Sequence, residues 1–327
     1  MSKPILIVMC GLQCSGKSSK ATDLLKEMLE RGEDTVILSS DEIRKKFKDI
    51  TNSEVFTRLY FDMNLYLRQG TSVILDCTNT TIKVRQQLFS NIKEGCIKMC
   101  YIMNTPIEEC KERLKERNKS DYPIKVPMEV LDKYYKSFEI PFYEEGWDCI
   151  HIDRVFPREE SNQYLEKIRT LAKDFNQQNK HHTQNLLEHM NTTAKQVAKQ
   201  VKDLPNMTDE QRNILVQAAQ YHDIGKLYTQ TFKEGDENAH YYNHANVGAY
   251  ELLSHWSDYI SDGIRIYKPF DGLTLVEIGT EAIFFINYHM ILHNEMKEST
   301  LLKYKKLFGK KLFKYLEILY EADKYRE

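Results

Sequence analysis

One stretch near the start of the chain has the residue types and spacing needed to bind a nucleoside triphosphate. Residues 11–18, Gly-Leu-Gln-Cys-Ser-Gly-Lys-Ser, fit the pattern G-x-x-x-x-G-K-[ST]. The glycines let backbone N–H groups surround phosphate oxygens, the lysine reaches the β- and γ-phosphates, and the serine hydroxyl binds Mg²⁺. We predict that ATP, or another nucleoside triphosphate, binds here with Mg²⁺. The predicted binding residues are Gly11, Cys14, Ser15, Gly16, Lys17, Ser18 and Ser19.

Four charged residues farther along could complete a phosphate-transfer site. Asp41 follows the second predicted strand and Asp76 ends the third, so both belong at the carboxyl edge of a sheet, where α/β folds bind ligands. Arg44 and Arg117 are the accompanying cations. A carboxylate placed to accept a hydroxyl proton favours a kinase over an ATPase. Taken one at a time, each of the four is better explained as an ordinary surface charge, and it is their placement together that favours a site.

A set of histidines and aspartates occupies the second half of the chain. Each lies on a segment compatible with a helix, and the set is His189, His222, Asp223, His244, His289 and Asp323. Imidazole and carboxylate ligands from separate helices suit one or two borderline divalent metals, such as Mn²⁺, Co²⁺ or Ni²⁺. Because the set is larger than a tetrahedral zinc needs, we favour two ions. Structural histidines in a helical domain are the alternative.

The surrounding sequence predicts two different kinds of domain. Short apolar runs alternate with amphipathic stretches in the first half, which indicates βαβ units around a parallel sheet. The predicted strands are Ile5–Met9, Thr35–Leu38, Ser72–Leu75, Ile97–Met103 and Asp148–Ile152. Apolar residues recur at helical spacing in the second half, and no strand is predicted there. We place the domains at residues 1–155 and 160–327.

Composition narrows the class of protein. All seven cysteines precede residue 150 and all ten histidines follow it, which also indicates two modules. The odd cysteine count without paired spacing argues for a reducing compartment, so we expect a cytoplasmic protein. No apolar run approaches the roughly 20 residues that span a membrane. A formal net charge of −2 gives no global electrostatic case for nucleic acid, so local patches would have to hold such a substrate.

The first half resembles the kinase module of phage polynucleotide 5′-kinase/3′-phosphatase. The resemblance covers about the first 150 residues and rests on four stretches, Ile7–Ser19, Ser40–Arg44, Asp76–Asn79 and Arg117–Leu131. It implies that Asp41 is the general base for a 5′-hydroxyl and that Arg44 contacts the phosphate 3′ to the acceptor nucleoside. It also implies that Arg117 is a lid arginine over the transferring phosphate. The second lid arginine of that family is missing here, and Lys119 or Arg113 is the candidate substitute.

The second half resembles the HD phosphohydrolase superfamily, in the H…HD…H…H…D order of its binuclear members. This resemblance spans about residues 181–327 and implies that the six histidines and aspartates hold the metals. Together the resemblances imply an α/β P-loop kinase, a parallel sheet flanked by helices, followed by an all-α HD domain. Fusions of an HD module with a polynucleotide kinase form a known family, and this chain is similar to them with the kinase placed first.

The function that follows is healing of nucleic-acid ends. The kinase would phosphorylate 5′-hydroxyl ends of RNA or DNA, and the HD half would remove 2′,3′-cyclic or 3′-phosphates, with a ligase acting downstream. Two alternatives stay open. One is a nucleoside or nucleotide kinase fused to a nucleotide phosphohydrolase, and the other is a regulatory ATP-binding HD protein.

Overall fold

The computed structural model describes most of the chain and divides it into two compact units. The described residues are 3–47, 49–154, 156–178, 184–255, 265–266, 276–277, 281–293 and 296–325. The first unit comprises residues 1–135 and 145–154, and the second comprises residues 136–144 and 155–327. Residues 136–144, named the strap below, therefore belong to the second unit, although in sequence they lie inside the first predicted domain.

A five-stranded parallel sheet forms the centre of the first unit. Its strands are β1 (Ile5–Cys10), β2 (Thr35–Ser39), β3 (Ser72–Asp76), β4 (Ile97–Ile102) and β5 (Cys149–Ile152). They lie in the order β2-β3-β1-β4-β5, and every pairing is parallel. All of β1 is buried, as expected for a strand covered on both faces. The predicted parallel sheet is confirmed, and each predicted strand end lies within one residue of the observed one.

Helices connect these strands. They are α1 (Lys17–Glu30), α2 (Ser40–Lys46), α3 (Asn52–Arg68), α4 (Ile82–Asn91), α5 (Ile107–Lys119) and α6 (Met128–Lys136). The sequence fixes two of the starts through side chains that accept backbone N–H groups. Thr51 and Glu54 form a reciprocal capping box at α3, and Thr81 accepts from the backbone of Val84 at α4.

The second unit is mostly helical. Its helices are α7 (Arg158–Asp174), α8 (Leu186–Val201), α9 (Asp209–Tyr221), α10 (Lys226–Thr229), α11 (His244–Ser254), α12 (Glu281–Tyr288) and α13 (Glu298–Asp323). Two short antiparallel pairs depart from the predicted all-α domain, namely β6 (Gln230–Phe232) with β7 (Ala239–Tyr241) and β8 (Arg265–Ile266) with β9 (Val276–Glu277). Strands of two or three residues are too short to display the alternation by which strands are recognised. Among the described residues, no helix is both long and apolar enough to cross a membrane.

Two glycines bring the helices of the second unit close together. A Cβ atom added to Gly225 would lie 1.9 Å from the carbonyl oxygen of His244, and one added to Gly248 would lie 2.8 Å from the backbone nitrogen of Gly225. The start of α10 is therefore packed directly against α11. This contact places His222 and Asp223, at the end of α9, beside the first turn of α11.

Candidate active sites

The loop between β1 and α1 has the geometry of a phosphate cradle. A Cβ atom at Gly11 would lie 2.9 Å from the Cβ of Met103, and Gly16 has a φ of 96° that other residues rarely adopt, so both positions favour glycine. Lys17 is buried, and its ammonium group donates to the carbonyl oxygens of Gly11 and Leu12. Burial lowers the pKa of Lys17, and the nearby carboxylate of Asp76 opposes that effect.

A hydroxyl and a carboxylate stand side by side where this loop meets β3. Ser18 Oγ donates to Asp76 Oδ2 at 2.7 Å, and this pair joins the first turn of α1 to the end of a neighbouring strand. Oxygen ligands of this type are those that Mg²⁺ prefers. The hydroxyl of Ser15 is buried and has no hydrogen-bond partner among the described residues.

The predicted acceptor residues cluster around one carboxylate. Asp41, in the first turn of α2, has Oδ1 3.4 Å from Arg44 Nη1 and Oδ2 3.5 Å from Arg117 Nη2. Arg44 also donates to Asn52 Oδ1 at 2.6 Å. The guanidinium of Arg117 lies 4.0 Å from the centre of the Tyr122 ring. Two cations thus flank a carboxylate that faces a cavity, an arrangement suited to a group carrying negative charge.

One cavity of about 750 Å³ in the first unit joins the two clusters. The predicted residues that line it are Cys14, Gly16, Lys17, Ser18, Ser19, Asp41, Arg44, Asp76 and Arg117. Gly11 and Ser15 belong to the loop between β1 and α1 but do not line the cavity. The cavity is large enough for a small ligand together with part of a second one, as transfer between two substrates requires.

Other lining residues were not predicted as site residues. An apolar and aromatic wall consists of Phe56, Tyr122, Ile124, Val126, Val130 and Tyr134. Arg113, which the sequence offered only as a substitute, also lines the cavity, and its Nη1 donates to the carbonyl oxygen of Cys14 at 3.3 Å. Arg113 lies four residues before Arg117 on α5, and that spacing, which puts two cations on one helix face, was the available signal.

A buried ion pair supports the loop that follows β3. Arg85 and Glu145 are paired through two contacts, Nε to Oε2 at 2.6 Å and Nη2 to Oε1 at 2.7 Å, and both side chains are fully buried. Arg85 Nη1 also donates to the carbonyl oxygen of Asn79, whose own side chain donates to the carbonyl oxygen of Met9. Removing one member of such a pair costs about 3–5 kcal/mol, so this network helps to fix the loop beside the phosphate cradle.

The second unit brings all six predicted metal-site residues together. The ligand atoms form two groups, and within each group they lie within 4.8 Å of one another. The groups are His189, His222, Asp223 and Asp323, and Asp223, His244 and His289. Asp223 belongs to both, because its Oδ2 lies 3.2 Å from His189 Nε2 and its Oδ1 lies 3.1 Å from His244 Nε2. If each group held a metal ion, this carboxylate would be shared between the two.

Backbone carbonyls orient three of the imidazoles. The Nδ1 atoms of His222, His244 and His289 each lie 2.8 Å from a carbonyl oxygen three residues earlier. A carbonyl oxygen only accepts, so the proton sits on Nδ1 and the lone pair on Nε2 points inward. The Nε2 atoms of His244 and His289 lie 3.3 Å apart. In the neutral tautomer with the proton on Nδ1, both Nε2 atoms offer a lone pair to the same point, so this pair of imidazoles fits a metal ion.

Charge in this centre is strongly perturbed. Burial alone would raise the pKa of Asp223, but the ammonium of Lys226, 2.6 Å from its Oδ2, and the neighbouring imidazoles hold that pKa well below its usual range. Burial alone would lower the pKa of His189, but hydrogen bonds to Asp223 and Asp323 raise it to about 9. Burial lowers the pKa of His289 to about 4. A metal ion held here would supply positive charge between these carboxylates, and its binding would displace protons from the imidazole nitrogens.

His293 and Gln177 support the side chains of this cluster, the first directly and the second through Lys226. His293, four residues after His289, has its Nε2 2.9 Å from Asp323 Oδ2. Lys226 links Asp223 to Gln177, whose Oε1 accepts from the lysine at 2.9 Å. The spacing of His293 on the segment of His289 was a signal for it in the sequence, whereas nothing local distinguished Gln177.

Family models match both halves of the chain. Residues 6–141 match a model described as an AAA domain, and residues 186–326 match the HD domain. A curated relative, the L-seryl-tRNA(Sec) kinase of Methanococcus maripaludis, is 32% identical over 151 residues, which cover 44% of this chain. Those residues cover 56% of that protein, so the chain spans little more than half of its curated relative.

Parts of the chain also align with solved structures. Kti12 from Chaetomium thermophilum, in complex with ADP-AlF3, is 20% identical, has a TM-score of 0.41, and is matched over 50% of this chain and 96% of that one. A chain of the Pnkp1/Rnl/Hen1 RNA repair complex is 23% identical, has a TM-score of 0.36, and is matched over 41% of this chain and 43% of that one.

Proposed function

We propose that this protein is a bifunctional enzyme that heals broken RNA ends, because it joins a P-loop kinase domain to an HD domain. The first unit would transfer the γ-phosphate of ATP to a 5′-hydroxyl. The second would hydrolyse 2′,3′-cyclic or 3′-phosphate ends with divalent metals. The observation that carries the kinase half is the single cavity containing both the phosphate cradle and Asp41.

In the kinase step, the phosphate cradle and the residues around Asp41 have different roles. Lys17 binds the transferring phosphate, and the Ser18–Asp76 pair provides the oxygens for Mg²⁺. Asp41 accepts the proton of the acceptor hydroxyl as the oxygen forms its bond to the γ-phosphorus and the bond to ADP breaks. The chemistry needs positioning and charge neutralisation more than covalent help, and the arrangement of these groups fits that need.

The cations near Asp41 support an acceptor that carries a phosphate. Arg44 is held by Asn52 beside the carboxylate, where it would contact the phosphate next to the reacting nucleoside. The wall formed by Phe56 and Tyr134 supplies apolar area against which a base can stack. A free nucleoside lacks this phosphate, so it would not gain the contact with Arg44.

Arg113 is our choice for the second cation over the transferring phosphate. It lies at the mouth of the phosphate cradle, on the carbonyl of Cys14, and Glu109 holds its other terminal nitrogen. Lys119, the other candidate, is exposed and does not line the cavity. A guanidinium at this point can neutralise charge that develops on the transferred group.

In the second unit, the metal ions would polarise the phosphoester and lower the pKa of a bound water. His189, His222 and Asp323 would hold one ion, and His244 and His289 the other, with Asp223 shared. Lys226 fixes the shared carboxylate and places a positive charge beside the site. Imidazole-rich ligands support Mn²⁺, Co²⁺ or Ni²⁺ better than Mg²⁺.

The curated relative suggests a second acceptor. Its name describes a kinase of L-seryl-tRNA(Sec), so a hydroxyl attached to the end of a tRNA is an alternative substrate for the first unit. This alternative keeps Asp41 as the base but changes what Arg44 would contact.

A comparison of acceptors tests the proposal. The purified full chain is given ATP and Mg²⁺ with one of four acceptors, namely a 5′-hydroxyl oligoribonucleotide, a nucleoside 3′-phosphate, a free nucleoside or seryl-tRNA. We expect kcat/KM to be highest for the oligonucleotide and lowest for the free nucleoside, with Asp41→Ala as the inactive control. A preference for free nucleosides would support the small-molecule kinase instead, and turnover of seryl-tRNA alone would support the relative's activity.

A further inference from the structure

The strap, residues 136–144, contributes buried side chains to the second unit. Phe138, Ile140 and Phe142 are at most 3% exposed. Phe142 packs edge-on against Phe284 and Phe308, with ring centres 5.0 and 5.3 Å away. Phe138 packs in the same way against Tyr250 on α11 at 5.0 Å. These contacts put the strap in the core formed with α11 and α12.

One amide side chain makes two hydrogen bonds to the backbone of the strap. Residues 138–142 form neither helix nor strand, so their buried backbone groups need partners from elsewhere. Asn287 Oδ1 accepts from the Ile140 N–H at 2.7 Å, and Asn287 Nδ2 donates to the carbonyl oxygen of Phe138 at 3.1 Å. A single buried amide thus engages the strap through both of its polar atoms.

A second helix also donates a hydrogen bond to the carbonyl oxygen of Phe138. Asn246 Nδ2, on α11, donates to the carbonyl oxygen of Phe138 at 2.8 Å. Asn246 lies two residues after His244, and Asn287 lies two residues before His289. The carbonyl oxygen of Phe138 therefore accepts hydrogen bonds from α11, which begins at His244, and from α12, which ends just before His289.

We propose that the strap is a positioning element of the metal centre, in which Asn287 and Asn246 tie α12 and α11 together so that His289 and His244 hold an ion jointly. This inference rests on the two-metal site proposed above. Asn287 and Asn246 are not among the proposed ligands, and they would act by fixing the separation and direction of the two imidazoles. Residues that orient metal ligands typically change metal affinity by about ten- to a hundredfold.

The family matches do not assign this role. The HD match begins at residue 186, far beyond the strap, and the AAA match extends through most of the strap, to residue 141. By its contacts, however, the strap belongs to the second unit. The HD centre of this chain would therefore need a segment that lies outside its own domain in sequence.

The test is to measure Mn²⁺ binding by the full chain, using calorimetry and electron paramagnetic resonance. Asn287→Ala removes both contacts, and Asn287→Asp keeps the shape and the acceptor but loses the N–H donor. We expect each to weaken binding of at least one Mn²⁺ ion by about tenfold or more. Ser254→Ala is the matched control, because it removes a buried hydrogen bond to Glu251 on the same helix as Asn246 but away from the strap. It should bind Mn²⁺ as the parent protein does.

Kinase activity and thermal unfolding show that each variant is folded, and if Asn287→Ala does not fold, Asn287→Asp gives the same readout. Parent-like Mn²⁺ affinity in a folded Asn287 variant, or an equal loss in Ser254→Ala, would overturn the inference. Because metal binding is measured without a phosphoester, a wrong assignment of the substrate leaves this test intact.

Discussion

The Nε2 atoms of His244 and His289 lie 3.3 Å apart, although the Nδ1 of each ring lies 2.8 Å from a backbone carbonyl oxygen. The carbonyls keep the proton on Nδ1, so both rings turn a lone pair toward the same point. Asp223 Oδ1, 3.1 Å from His244 Nε2, adds a third donor atom there. With both rings in this neutral tautomer, the three atoms would be suited to bind one cation jointly.

Loss of these ligands should stop phosphoester hydrolysis and spare the kinase. We expect Asp223→Ala and His222→Ala to abolish hydrolysis, and His244→Ala and His289→Ala to reduce it severely. Chelation should remove the activity, and Mn²⁺, Co²⁺ or Ni²⁺ should restore it better than Mg²⁺. Metal analysis alongside the hydrolysis assay checks this. A single ion per chain, with His244 and His289 dispensable for turnover, would contradict the binuclear site.

Loss of the phosphate cradle or of the base should have the opposite effect. Lys17→Ala removes the cation on the transferring phosphate, and Asp41→Ala removes the proton acceptor. Each should abolish 5′-phosphorylation and leave metal-dependent hydrolysis at the parent rate, measured on the same preparation. If either change also stopped hydrolysis in a folded protein, the assignment of two independent sites would be wrong.

Arg44 should determine which acceptors are used. A charge-assisted contact of the kind proposed contributes roughly 1.5–3 kcal/mol, so Arg44→Ala should lower kcat/KM for nucleoside 3′-phosphates and oligonucleotides about ten- to a hundredfold. Free nucleosides should be affected much less. The measurement is the ratio of the two activities, and an unchanged ratio would indicate a small-molecule kinase.

Arg113 and Lys119, two basic residues of α5, are the two candidates for the second cation over the transferring phosphate, and each serves as the control for the other. Arg113 contacts the phosphate cradle, whereas Lys119 is an exposed cation at the end of α5. Arg113→Ala should lower kcat about ten- to a hundredfold, a loss that corresponds to one charge-assisted contact, and Lys119→Ala should leave it nearly unchanged. Steady-state kinetics of the two variants with the same oligonucleotide decide between them. The reverse order would make Lys119 the second cation.

Much of the fold and several side-chain clusters could be predicted from the sequence. Strands of a parallel sheet covered by helices are largely apolar runs, which is why the ends of β1 to β5 were predicted to within one residue. The P-loop pattern and the order of the histidines and aspartates also indicated which residues come together, because each motif fixes residue types at a defined spacing. The domain limits at residues 155 and 160 stay a prediction.

The strap and the cavity wall show what the sequence could not reveal. Phe138, Ile140 and Phe142 alternate as they would in a half-buried strand, and nothing local tells which core they fill. Tyr122 lies in a segment without helix or strand periodicity, so its stacking on Arg117 depends on tertiary folding alone. Long-range packing of this kind has no signature in local spacing.

The most direct test of the central claim uses one RNA with two damaged ends. A labelled oligoribonucleotide with a 5′-hydroxyl and a 2′,3′-cyclic phosphate is incubated with the full chain, ATP, Mg²⁺ and Mn²⁺, and both ends are analysed. We expect a 5′-phosphate and a 3′ end free of the cyclic phosphate, with Asp41→Ala blocking only the first change and Asp223→Ala only the second. Unaltered RNA ends, from a preparation that phosphorylates free nucleosides and hydrolyses mononucleotides, would contradict the account.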